Sequence, residues 1–163
     1  MKSVWFAAIL LALAGMGAIV AVPARADDDR RAGYYYPEPK SSEVYIARAT
    51  TLQQASRSTR IGFLTGLTNK QLAAPYPPQF AAFAKGDDAD RMIIVALADG
   101  QFSTLYRARA LLAQLTAMMR GTDLFRQMGV EDFFTFFDMA KMFGFKEIVV
   151  SDGESFAHRI EIE

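Results

Sequence analysis

The chain has 163 residues, 52% hydrophobic and 22% charged, with 18 Lys and Arg against 18 Asp and Glu, one His and no Cys. That length fits one domain with a tail. Lack of Cys excludes disulfides, Cys-held zinc, iron–sulfur clusters and Cys nucleophiles. Zero net charge argues against bulk electrostatic binding to nucleic acid.

Residues 1–26 differ from the rest. Lys2 is followed by an uncharged apolar run from Val4 to Val22, then Pro23 and Ala24-Arg25-Ala26. This is the pattern of a secretory signal with a small-residue cleavage site. It predicts a mature protein starting at Asp27, in the periplasm. The run is also just long enough to span a bilayer, so an inner-membrane anchor over residues 4–22 is the alternative. Cleavage removes Lys2 and Arg25, which takes 18 basic groups to 16 against 18 acidic ones.

Residues 27–42 read as a tail. Asp27-Asp28-Asp29-Arg30-Arg31 is a solvated charge block, and Pro37 and Pro39 prevent regular helix. Tyr34, Tyr35 and Tyr36 allow two readings. They pack on the domain's own surface, or they dock a partner, since Tyr joins apolar area to a hydroxyl.

The domain is expected from Glu43 to Glu163. Alternation from Val44 to Ala49 predicts a strand. Arg60–Leu67 reads as a second strand, with Gly62 and Gly66 marking a bulge or a close backbone approach. Pro75, Pro77 and Pro78 make a stiff loop, and Phe80–Ala84 a short apolar stretch. Met92–Ala98 is the strongest strand, apolar enough to be central. Asp99-Gly100 reads as a hairpin turn returning through Gln101–Tyr106. Arg107–Arg120 is a helix ended by Gly121, with Thr122 or Asp123 capping the next segment.

Glu131–Phe143 reads as one helix ended by Gly144. Its arc of Phe133, Phe136, Phe137, Met139, Ala140 and Phe143 should face the core, leaving Phe134 and Met142 for a partner or another part of the chain. A last hairpin joins Glu147–Val150 to Ser155–Ile162 through Ser151-Asp152-Gly153. This order predicts an α+β domain: a mainly antiparallel sheet with two or three helices on one face.

Chemistry is thinly signalled. Asp152, Ser155 and His158 do not converge along a strand, and no Gly-x-Ser-x-Gly elbow is present. Asp87, Asp88 and Asp90 lack the remaining ligands of a calcium loop. No catalytic, metal or cofactor residue is assigned. The expected function is an exported, non-catalytic binding or accessory protein with a protein partner in the envelope. The candidate binding residues are Tyr34, Tyr35, Tyr36, Phe134 and His158. The alternative is a small periplasmic enzyme around His158, with Asp152, Arg107 and Arg109 as first suspects.

The segments GYYYPEP, PYPP, FAKGDDAD, LYRARALLAQLTA, FFTFFD and VSDG…FAH resemble small exported bacterial proteins labelled molybdopterin-guanine dinucleotide biosynthesis protein A. That resemblance implies a biosynthesis factor for this cofactor. The nucleotidyltransferase loop continues to an Arg and a Lys, whereas Gly15-Met16-Gly17-Ala18 here continues to Ile19, Val20 and Ala21. No catalytic residue carries over.

Overall fold

A computed structural model describes residues 37–163. The expected signal, its cleavage site and Tyr34–Tyr36 lie outside the described residues. The elements run β1 (Ser41–Tyr45), α1 (Arg57–Leu72), β2 (Phe80–Lys85), β3 (Arg91–Ala96), α2 (Leu105–Arg120), α3 (Asp123–Met128), α4 (Phe136–Met142), β4 (Glu147–Ser151) and β5 (Ala157–Ile162). The strands form one open sheet in the order β1-β5-β4-β3-β2.

The fold is α+β, with a mixed sheet rather than a mainly antiparallel one. The β2–β3 and β4–β5 pairs are antiparallel, while β1–β5 and β3–β4 are parallel. Parallel neighbours need a crossover. Here α2, α3 and α4 supply it between β3 and β4. Helices pack on one sheet face, as expected. Met92, Ile94, Ile148, Val150, Ile160 and Ile162 meet Leu64 and Leu67 of α1, Leu111, Leu112 and Leu115 of α2, Phe125 of α3, and Phe136 and Met139 of α4 in one core.

Several expectations are corrected. Residues 60–67 belong to a helix. Ser56 accepts the amide of Thr59 while the Thr59 hydroxyl takes the amide of Ser56, closing a capping box. Residues 101–104 are turn and coil, and Leu105 already begins α2 behind the Thr104 cap. The helix expected from Glu131 starts at Phe136. Thr135 caps it, and the residues before it turn, so the helical phase does not reach back to 133. Hence Phe133 is half-exposed, while Phe134 is buried, edge-on to Phe125. Met142 is buried too. The hairpin between β4 and β5 is present, with Gly153 at φ +85°.

Asp138 and Arg60 bring charge into the interior. Asp138 is fully buried. Its Oδ1 accepts the Arg48 amide at 2.7 Å, and its Oδ2 accepts the Thr135 amide at 2.8 Å, the Thr135 hydroxyl at 2.9 Å and the Tyr45 hydroxyl at 3.1 Å. Burial pushes this carboxyl up, but the donated amides and hydroxyls outweigh it and hold it below the ordinary 3.8. Arg60 of α1 donates twice to the Asp88 carbonyl and again to that of Phe143, joining α1 to the β2–β3 turn and the end of α4.

A depressed carboxyl stabilises the fold above its unfolded-state value and loses that contribution as pH falls through the folded value. Asp138 should therefore contribute in full above about pH 5 and progressively less as pH falls below 3.8. Asp138→Ala should cost roughly 3 kcal/mol at neutral pH, because four donors lose a charged acceptor. It should also flatten the acid limb of a urea-denaturation series. Gly153→Val should cost about 1–3 kcal/mol in the same assay, since a β-branched residue at this φ is strained. Its Cβ would also stand 3.3 Å from Val95 Cγ1.

Candidate functional site

β1 lies beside β5 in parallel, so Ser41 is opposite His158 and Glu43 opposite Ile160. Alternation turns Ser41, Glu43 and Tyr45 toward the helix-bearing face. That register sets His158 between two polar side chains of the edge strand. Its Nδ1 is 2.8 Å from Ser41 Oγ. Its Nε2 is 3.2 Å from Glu43 Oε1, a close contact without the alignment of a good hydrogen bond. Arg109, in the second turn of α2, reaches Glu43 Oε2 at 2.6 Å.

The array grades from exposed to buried. Ser41 and Arg109 are open to solvent, Glu43 is partly covered and His158 is buried. Burial raises the Glu43 carboxyl, but the hydrogen bond from Arg109 and the nearness of His158 prevail and hold it below the ordinary 4.5. An ionised carboxylate facing Nε2 favours the tautomer with hydrogen there, because a carboxylate only accepts. Nδ1 is then free to accept the Ser41 hydroxyl hydrogen. In outline this is a hydroxyl, a base and a carboxylate, with the two ring nitrogens exchanged relative to a serine-hydrolase triad.

The residues suspected from sequence separate here. His158 and Arg109 come together through Glu43. Asp152 does not join them. It accepts the amides of Glu154, Ser155 and Phe156 within the β4–β5 turn, and Ser155 donates to it. Burial raises the Asp152 carboxyl, but these bonds outweigh it and lower it overall. Arg107 closes on the Gly100 carbonyl and holds the loop before α2. Phe134 is part of the core. Ser41 and Glu43 went unnoticed because their signal is a strand register. Among the described residues no group of three or more His, Asp or Glu is placed to hold a metal ion.

A second feature is apolar. A groove of about 390 Å³ runs between the end of α1, the loop 73–79 and α2. Tyr76, Pro77, Pro78, Phe80, Leu115 and Met118 line it, and the amides of Gln71, Gln79 and Gln114 stand among them. Tyr76 is 76% exposed and Leu72, at the end of α1, is 66% exposed. Prolines fix the backbone of this wall, so a bound segment would not have to order it.

No family model, curated protein or solved structure matches the chain significantly. The resemblance drawn from short sequence segments therefore brings no residue role to either feature.

The two ends of the polar array should differ in weight. His158→Ala should cost about 2–4 kcal/mol, from a cavity and a lost hydrogen bond. Arg109→Ala should stay within about 1 kcal/mol, because its pair with Glu43 is solvent-exposed and screened. Chemical denaturation of both variants checks this, and the reverse order would place the weight on the surface pair.

Proposed function

We propose that the chain is an exported binding or accessory protein of the cell envelope that holds a segment of a protein partner and carries out no chemistry on it. The groove beside Tyr76 carries this reading. It pairs a rigid Pro-rich wall and an exposed aromatic ring with amide side chains suited to a peptide backbone. Tyr76 in the groove and Leu72 at the end of α1 are large apolar side chains left exposed, as interface residues are. Export to the periplasm rests on the Val4–Val22 run and Ala24-Arg25-Ala26. Among the described residues no helix is long and apolar enough to cross a membrane.

A second reading has one specific observation behind it. The 2.8 Å contact from Ser41 to His158, with Glu43 on the other nitrogen, is the arrangement of a base-activated hydroxyl. An acyl-transfer enzyme also needs donors aimed at a developing oxyanion. The nearby Lys40 amide is already given to the Ala157 carbonyl.

Affinity purification from the native envelope, with mass spectrometry, tests the first reading. The wild-type chain and a Tyr106→Ser control should retain a common partner, since Tyr106 is 84% exposed and does not line the groove. Tyr76→Ser should lose that partner by tenfold or more, about 1.4 kcal/mol for a central aromatic contact. Equal retention by all three would remove the groove from the account. A serine-reactive fluorophosphonate should leave the chain unlabelled, and labelling abolished by Ser41→Ala would establish the enzymatic reading instead.

A further inference from the structure

β2 is one edge of the sheet, with β3 on one side and no described strand on the other. The Leu97 amide bonds the Gln79 carbonyl, and the antiparallel register runs on from Phe80 opposite Ala96 to Lys85 opposite Arg91. Backbone polar groups alternate in direction along a strand, so those of residues 81, 83 and 85 meet β3. The amides and carbonyls of Phe80, Ala82 and Ala84 therefore point off the sheet. Proteins blunt such an edge with charge, proline or a bulge. β1, the opposite edge, follows Pro37 and Pro39 and carries Glu43 at its middle. β2 reads Phe-Ala-Ala-Phe-Ala-Lys in unbroken register, with its one charge at the last position. Beside it runs a groove of about 530 Å³, walled by Ile61, Thr65 and Thr68 of α1 and floored by Ala82 and Ala84. Ile61 and Thr65 are exposed, so strand edge and helix flank present one strip.

We propose that this strip pairs with the same strip of a second copy, β2 antiparallel to β2 across a two-fold axis at Ala82. Three observations favour this occupant. The first is that the strand complements itself. With Ala82 on the axis, Phe80 stands opposite Ala84 of the other copy, Ala81 opposite Phe83, and Gln79 opposite Lys85. Each aromatic ring meets a methyl group, and no like charges face each other. The same register sets outward-pointing backbone against outward-pointing backbone, about six main-chain hydrogen bonds in all. Sliding one copy along the other shortens the ladder.

The second observation is charge. The two-fold axis runs the two α1 helices antiparallel on one face of the joined sheet. Arg57 lines the groove at its Gly86 end, so the two arginines go to opposite ends of the interface. The whole chain has 18 basic against 18 acidic groups, so copies approach without general repulsion. The third is area. The strip is about 24 Å long, as α1 is, and about 20 Å high for one sheet and one helix layer, roughly 500 Å² per copy. Two copies together reach about 1,000 Å², the lower bound for a specific interface, so the dimer should come apart on dilution.

Sedimentation of the chain recovered from a secreting host, over a range of concentrations, tests this. The wild type should pass from monomer to dimer as concentration rises. Ala82→Pro removes an amide that β3 does not use, which an edge strand tolerates and a second strand does not. It should raise the dissociation constant tenfold or more while far-UV circular dichroism stays unchanged. Thr65→Lys, on the exposed flank of α1, should do the same by setting two cations near the axis. The chain has no Cys, so an introduced thiol reports one position. A short thiol crosslinker should trap a dimer of Thr65→Cys and none of Ile46→Cys, which is 77% exposed beside the opposite edge. A chain monomeric at every concentration would overturn the proposal and leave the edge to an extended segment of another protein. A dimer as tight in folded Ala82→Pro as in the wild type would overturn it too, by placing the contact elsewhere. Where Ala82→Pro fails to fold, Thr65→Lys decides by the same criterion.

Discussion

A single buried carboxylate joins the two halves of this domain. Asp138 belongs to α4, yet its oxygens are occupied by donors that include the amide of Arg48 and the hydroxyl of Tyr45, from the far side of the chain's order. An ionised group at zero exposure is tolerable only when its acceptor sites are filled. That demand fixes where α4 begins and where β1 ends. Thr135 meets it from the helix side as a cap, and residues 45–48 meet it from the strand side. β1 is otherwise an edge strand, paired with β5 on one side.

The polar array on β1 inherits this constraint. Tyr45 is anchored on Asp138 and packed against Phe137, with ring centres 4.5 Å apart. Anchoring one end of a five-residue strand sets the register of the whole strand. A one-residue slip would turn Ser41 and Glu43 away from His158 and bring Ser42 and Val44 to it. The Nε2 side of the buried imidazole would then face an apolar valine in place of a carboxylate. Arg60 plays a similar part for α1, since its guanidinium finds carbonyls on two other elements rather than a carboxylate partner.

The sheet's two faces separate two roles. One face holds the helices and, at its margin, both the His158 array and the Tyr76 groove. The other carries an apolar cluster flanked by charged side chains at one end. Preformed backbone in the groove and a filled polar array on the strand edge describe a rigid scaffold. Such a scaffold would lose little conformational freedom on binding.

The sequence by itself determined the α+β class, the buried run of β3, the long helix before Gly121 with its Thr122 successor, and the last hairpin with its left-handed Gly153. Each rests on local physics: period-two or period-3.6 patterning, capping hydroxyls, and a glycine where φ must be positive. Where local signals conflicted, they misled. Gly62, Gly66 and the β-branched residues of 60–67 obscured a helix that the Ser56–Thr59 box starts, because Thr at the third position lacks the usual Glu or Gln. The side chains of Phe133 and Phe134 exchanged places because a turn, not a helix, sets their phase. Only the tertiary structure decided that β1 pairs in parallel with β5, more than a hundred residues away, and so set Ser41 and Glu43 beside His158. No local pattern encodes a strand's neighbour or the direction in which it pairs. Those are settled by which buried charges find their donors and which apolar faces find cover.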